Sequence, residues 1–411
     1  MFTRRNSTAR TSTSTPPKRR SARSMVAAMA VLGSLAVGGP LAYAGSQDAK
    51  DAKHHDAVQQ DAVQKAADSL VREDGFPAAL AAVDNGDGRV RDYTAGVGDL
   101  TTGEDVPVNG RVRAGSNTKA FVSAVVLQLV GEGKVTLDAP IETYLPGLVR
   151  GEGIDGNKIT VRQLLQHTSG LPDFVRHMEP NAFTARNTYT EPRELLDTAL
   201  AHKADFAPGE KWQYSNTNYV LAGLLVQKVT GRPLGEEITH RIIRPLGLHD
   251  TYWPTTGERG IRGPHPKGYD TARPGAELAD ITKLDPSKAW AAGQLVSTPR
   301  DLNRYFSALL GGKVLRPAEL EEMKTTVKAD GPAPNSSYGL GLMKTELSCG
   351  RVLWGHGGDI NGYETRGGVT EDGRAVTVAV TALPTAVIND QAELPKVMRH
   401  VMGLVDTAAC K

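Results

Sequence analysis

The sequence predicts an α+β fold, an α/β sandwich in which one antiparallel sheet is flanked by helices and carries an inserted, mainly helical subdomain. Three observations predict it. Two strand-like runs near the start are matched by three near the end. The middle of the chain, from about residue 159 to 290, is patterned for helices. The strand runs at both ends are punctuated by glycine-rich turns, which favour antiparallel pairing.

The elements follow in order. Residues 58–71 carry a helical pattern. Residues 78–83 and 89–97 read as two strands around Asn85-Gly86-Asp87-Gly88, a hairpin signal; the acids of that turn lack the ligand spacing of a calcium loop. The run Ala-Gly-Ser-Asn-Thr-Lys at 114–119 opens an apolar helix that Gly131-Glu132-Gly133 ends. Helical pattern then dominates from 159 to about 307, interrupted by loops at 168–172 and 207–209. Within it, residues 216–230 form one helix closed by Gly231. Strands are expected at 351–355, 362–370 and 375–382, the last two joined across Glu371-Asp372-Gly373, and a final helix at about 391–405.

Of the 411 residues, 39% are hydrophobic and 23% charged, ordinary values that suit one large domain with an insertion. Residues 1–44 read as a signal peptide: seven basic residues and no acid, an apolar run, then Ala42-Tyr43-Ala44 as a cleavage site. The run is too weakly apolar and too broken by Gly38-Gly39-Pro40 for a stable membrane anchor. Residues 45–60 look like a flexible spacer, and 61–411 like the working domain. A secreted, extracellular protein is expected. Setting aside the seven basic charges of residues 1–44 turns the net charge from +2 to −5, so no basic footprint for nucleic acid remains. Cys349 and Cys410 are an even pair in an exported chain and suggest one disulfide.

The chemistry starts at Ser116 and Lys119. Three residues apart at a helix start, they share one face, and the amine reaches the hydroxyl. A serine hydroxyl is a weak nucleophile without such a neighbour. A second element is Tyr214-Ser215-Asn216, on a turn before a helix. A phenol beside a lysine ammonium is expected to have its pKa lowered and to shuttle a proton, while the asparagine amide can bind a substrate amide. The third is Trp354-Gly355-His356-Gly357-Gly358-Asp359 at a strand end. Its glycines allow close approach of another chain, and the N–H groups of Asp359 and Ser116 can form an oxyanion hole. His356 can donate a hydrogen bond or, protonated, supply positive charge. No cofactor or metal is expected: no His-Glu-x-x-His motif occurs, and Gly-x-Ser-x-Gly is absent too.

Ser-x-x-Lys, Tyr-x-Asn and His-x-Gly, each present once and in this order, make the chain resemble the penicillin-recognising serine hydrolases. The Tyr-x-Asn form is similar to the class C β-lactamase group and, within it, to the exocellular D-alanyl-D-alanine carboxypeptidases. Supporting stretches are His167-Thr168-Ser169-Gly170-Leu171, Tyr214–Tyr219 and Ser348-Cys349-Gly350, and the resemblance covers roughly residues 70–410.

It implies a β-lactamase/transpeptidase-like fold with Ser116 as acylated nucleophile. Lys119 and Tyr214 would share the acid and base roles, Asn216 would bind the acyl-side amide, and His356 would stand where relatives carry Lys or His. Trp290 falls where the family has a tryptophan lining the cleft; it could equally be a core residue. The family's pairing of a cysteine before the third motif with one near the C-terminus fits Cys349 and Cys410. The implied partners are D-amino-acid peptides, amides or esters, a peptidoglycan stem peptide among them, and β-lactams as covalent ligands. A monomer is expected.

One departure bears on the substrate. The exocellular carboxypeptidases hold a terminal carboxylate with an arginine and two hydroxyls, at positions that correspond here to Met343, Gly357 and Asp359. An aspartate there repels a carboxylate, by about 1 kcal/mol at 4 Å in water. This favours a D-stereospecific peptidase, amidase or esterase, with Asp359 near a neutral or cationic group. D-Ala-D-Ala carboxypeptidase activity is the competing expectation, with the carboxylate held by Lys344 or His356. An esterase or β-lactamase of the same fold is the nearest alternative, and a non-catalytic β-lactam sensor a remote one.

Overall fold

The structure is a computed structural model. It describes residues 62–86, 89–178, 181–273, 275–329 and 336–411. The expected signal peptide and spacer, and the tip of the first hairpin, lie outside the described residues.

One sheet organises the domain. Its strands are β1 (Ala78–Asp84), β2 (Val90–Gly96), β3 (Val327–Lys328), β4 (Ser337–Tyr338), β5 (Met343–Glu346), β6 (Val352–Gly355), β7 (Gly358–Ile360), β8 (Tyr363–Thr370) and β9 (Ala375–Val380). They run in the order β2-β1-β9-β8-β6-β5-β4-β3, and β7 also pairs with β8. All these pairings are antiparallel. The first and last strands of the sequence therefore meet in the centre, where Ala79 faces Val380 and Asp84 faces Ala375. Alternation along β9 sorts its two faces. Val376, Val378 and Val380 pack with helix α1 (residues 62–72) and helix α5 (Leu394–Cys410). On the other face, Thr377 bonds to Asn303 of helix α4 (Pro299–Leu310). Both faces are covered, so β9 is buried along its whole length.

The second core belongs to the helical lobe and centres on α2 (Thr118–Gly131) and α3 (Thr217–Thr230). Most of α2, from Thr118 to Leu129, is buried on all sides, as expected of a helix that is apolar around its circumference. It carries Lys119 into the interior.

Three expectations are corrected. Helical structure does not continue evenly from 159 to 307: residues 249–289 are mostly irregular, with short paired strands at Tyr269–Asp270 and Ala279–Asp280. The final helix runs five residues further than its pattern suggested, to Cys410, where a disulfide to Cys349 ties it to the turn between β5 and β6. The sequence reading also missed β3, β4, β5 and β7, which are only two to four residues long, too short for a period-two pattern.

Candidate active site

Ser116 sits on a single 3₁₀ turn, Gly115–Asn117, that feeds directly into α2. Gly115 has φ +51°, and a Cβ there would lie 2.8 Å from the Asp359 nitrogen. Only glycine lets the turn press against β7. Gly358 is needed for the same reason on the opposite side, since its Cβ would strike the Ala114 carbonyl. Asn117 fastens the joint with bonds to Ala114 O (3.0 Å) and Thr365 Oγ1 of β8 (2.7 Å). The nucleophile turn is thus clamped to the free edge of a strand whose Asp359 N–H lies beside it.

Lys119 Nζ donates to Ser116 Oγ (2.8 Å), Asn216 Oδ1 (2.8 Å) and the Ala292 carbonyl (2.7 Å). The side chain is buried in α2, and that burial lowers its pKa to about 7, against the opposing pull of Asp173 and Asp359. The amine is therefore poised to change charge near neutrality. Tyr214 also hydrogen-bonds Ser116, and the Lys119 ammonium lies 4.9 Å from the centre of its ring. The expectation of a lowered phenol pKa is overturned: burial pushes it well above the ordinary value, and the Ser116 bond offsets this only in part. Tyr214 rests as a neutral phenol.

The Tyr-Ser-Asn turn is held by the stretch from His167 to Asp173. His167 Nδ1 accepts from the Ser215 N–H (3.2 Å) and the Asn218 amide (3.1 Å), and its ring stacks 4.2 Å from that of Tyr214. Ser169 Oγ donates to Asn218 Oδ1, while Ser215 and Thr217 hydroxyls donate to the Pro172 carbonyl. Asp173 accepts from the Asn216 backbone N–H and side-chain amide. Asn216 is thus locked between Lys119 and Asp173. Sequence reasoning missed the part played by Asp173; its position just after Ser169-Gly170-Leu171-Pro172 was the available signal.

His356 is placed beside this cluster but not as a cation. Its Nδ1 lies 2.5 Å from the Gly357 carbonyl, which can only accept, so Nδ1 carries the hydrogen. Nε2 then accepts from the Tyr338 hydroxyl at 2.9 Å. Burial, and next the charge of Lys119, lowers its pKa to about 3. Trp290 is not on the cleft wall. Its ring packs over Gly223 of α3, in a notch that a Cβ would fill, and the neighbouring Ala292 and Gly293 line the cleft instead.

These groups open on a cavity of about 630 Å³ lined by Ser116, Tyr214, Asn216, His356, Gly357 and Asp359. Asp359 is half exposed there and pairs with Arg366 at 2.5 Å. The buried Arg366 also meets the buried Glu364 at 2.7 Å. Burial raises the Glu364 pKa to about 7, although Arg366 opposes the shift. Neither Arg366 nor Glu364 was singled out from sequence, because their meeting with Asp359 depends on the β7–β8 register. Lys344, the other suggested carboxylate holder, places its ammonium over the Trp354 ring, 5.5 Å from the centroid, and is not part of the lining. Among the described residues no cluster of three or more His, Cys, Asp or Glu could hold a metal, and no helix is long and apolar enough to cross a membrane.

An antiparallel sheet and a helical lobe meeting at a serine that shares its hydroxyl with a buried lysine and a neutral phenol define a serine hydrolase. Comparison with known proteins agrees. The family model for β-lactamase matches residues 63–394, and the chain belongs to that family.

Among solved structures, a D-stereospecific amidohydrolase from Streptomyces sp. is 40% identical, with a TM-score of 0.74 over 82% of this chain and 97% of that one. The D-amino acid amidase from Ochrobactrum anthropi SV3 is 29% identical, with a TM-score of 0.73 over 85% and 98%. A putative penicillin-binding protein, PbpX, from Bacillus subtilis is 28% identical over 56% of this chain. The chain spans only about half the length of that relative, at 52%.

Proposed function

We propose that this chain hydrolyses D-aminoacyl amides and peptides through an acyl-enzyme on Ser116. In the first step Ser116 Oγ attacks the carbonyl carbon as Lys119, in its neutral form, takes the hydroxyl proton. The negative oxygen is received by the Ser116 and Asp359 N–H groups. Tyr214, a neutral phenol bonded to the same oxygen, gives its proton to the departing nitrogen as the C–N bond breaks. The tyrosinate then recovers its proton from the Lys119 ammonium, which returns both groups to their starting forms before deacylation. Water then attacks the ester, and the same groups run in reverse to free the acid and restore the hydroxyl. Lys119 suits the base role because it is the one of the pair whose pKa lies near neutrality.

The observation that carries the amidase reading is the half-exposed Asp359 carboxylate in the cavity. Arg366, the cation beside it, is already shared by two carboxylates. A substrate ending in a free carboxylate at this place meets repulsion, whereas an amide does not. The similarity to D-stereospecific amidohydrolases supports the same choice. Secretion, proposed from residues 1–44, agrees with the disulfide.

The test is a comparison of kcat/KM for D-phenylalanine amide, L-phenylalanine amide and a D-Ala-D-Ala peptide. The D-amide is expected to be turned over fastest. Preference for the D-Ala-D-Ala peptide would reject the reading.

A further inference from the structure

The cavity does not end at the catalytic cluster. Its lining includes residues of the helical lobe and residues on the α5 side of the sheet, and these two sets define two arms. The first arm belongs to the helical lobe. It begins at Asn216 and is walled by Phe174, Val175, Trp212 and Leu284. The second passes the His356-Gly357 step and reaches Met343, Leu353, Leu383 and Met402.

Strand register places this second arm. Met343 faces Gly355, and Thr345 faces Leu353, so these side chains share one face of the sheet. Leu353 belongs to the same buried cluster as Val376, Val378 and Val380 of β9 and Val397, Val401 and Val405 of α5. That is the face opposite the helical lobe. The same register puts Asp359 across from Glu364, and Glu364 across from Val380, so the Asp359–Arg366 pair stands on this face too, at the entrance to the arm. Between the two sets the strand is interrupted at His356 and Gly357, where the Arg366 side chain lies alongside. β6 pairs with β8 at Gly368, and β7 pairs with it again only at Thr365.

We propose that this second arm is a leaving-group subsite, which takes the amine half of the substrate and prefers an apolar chain there. The inference rests on the acyl-enzyme reading above. Tyr214, the group placed to protonate the departing nitrogen, has its ring 6.4 Å from that of His356, at the mouth of this arm. Asn216, held in place by Asp173, stands in the other arm, which leaves that one for the acyl group. The floor of the second arm is two methionines and two leucines, which gain from contact with methylene groups. Its entrance carries Asp359 and Arg366, whose guanidinium is already paired, so a free carboxylate is disfavoured at the same point. Amines with an apolar chain are also the acceptors expected to compete with water for the acyl-enzyme. The amine nitrogen would then attack the ester carbonyl, Ser116 would leave with a proton, and a new amide would form.

The test uses the full chain and two substrates that differ only beyond the scissile nitrogen: D-phenylalanine amide and D-phenylalanine N-hexylamide. The measured quantity is the ratio of kcat/KM for the hexylamide to that for the primary amide. In the wild type it is expected to exceed one. Met402→Trp, which fills the arm from α5, is expected to lower the ratio at least tenfold, and Leu383→Trp to lower it in the same direction. A wild-type ratio below one, or a ratio unchanged in both variants, overturns the proposal, as does an equal loss on both substrates. If neither amide is hydrolysed, the amidase reading fails first; the ratio is then read on the hexyl and methyl esters, where the same outcomes decide.

Discussion

The two walls of the cleft handle charge in opposite ways. On the helical wall, Lys119 is sealed from solvent and each of its three donor directions meets a neutral acceptor. With no carboxylate in contact, burial prevails and the amine loses its proton near neutrality. On the strand wall, Arg366 is buried as well but touches two carboxylates, and its charge is held firmly. One wall thus holds an amine that changes charge near neutrality, while the other holds a guanidinium that stays charged beside Glu364, whose own pKa is pushed up to about 7. The difference teaches that burial and partners decide ionisation together: Arg366 keeps its charge between two acids, whereas Glu364, with one cation, is still pushed up by burial.

The contrast breaks most sharply at the nucleophile. Ser116→Ala is expected to lose at least about 10⁴-fold in kcat on any amide or ester, with the fold intact by circular dichroism. Lys119→Met is expected to cost about 10²–10⁴-fold. The pH profile sharpens that result. In the proposed mechanism the neutral amine is the active form, so wild-type kcat/KM should fall about tenfold per pH unit below an apparent pKa near 7. His356, with a pKa of about 3, should add no limb between pH 5 and 9. Tyr214→Phe should slow amides more than esters, because an amine needs a proton to leave and an alkoxide needs it less.

The strand wall predicts smaller effects. Asp359→Asn should raise the rate on a carboxylate-ended leaving group relative to a neutral one about fivefold, the equivalent of about 1 kcal/mol. It should also move the acid limb slightly to lower pH, since Asp359 helps to hold the Lys119 proton. An unchanged ratio in matched assays would remove Asp359 from the account of specificity.

The same division governs what could be read from the sequence. Ser116 and Lys119 are three residues apart on one helix, so their meeting follows from local geometry. Tyr214 and Asn216 lie on one turn, and their short motif carried them. By contrast, the Asp359–Arg366–Glu364 cluster forms only when β7 pairs with β8 in one register. Asp173 becomes functional only because a loop folds back under Asn216. The raised pKa of Tyr214 and the lowered pKa of His356 come from burial, which no local pattern reports. Trp290 shows the reverse case: the residue was singled out, but the notch at Gly223 that takes its ring is a tertiary feature.

The central claim is that Ser116 carries the acyl group. Intact-mass spectrometry of protein quenched during turnover of a D-phenylalanine ester, followed by peptide mapping, tests it most directly. The account predicts a phenylalanyl adduct on the peptide containing Ser116, absent in Ser116→Ala. Sustained turnover by Ser116→Ala, or an adduct on any other residue, would contradict it.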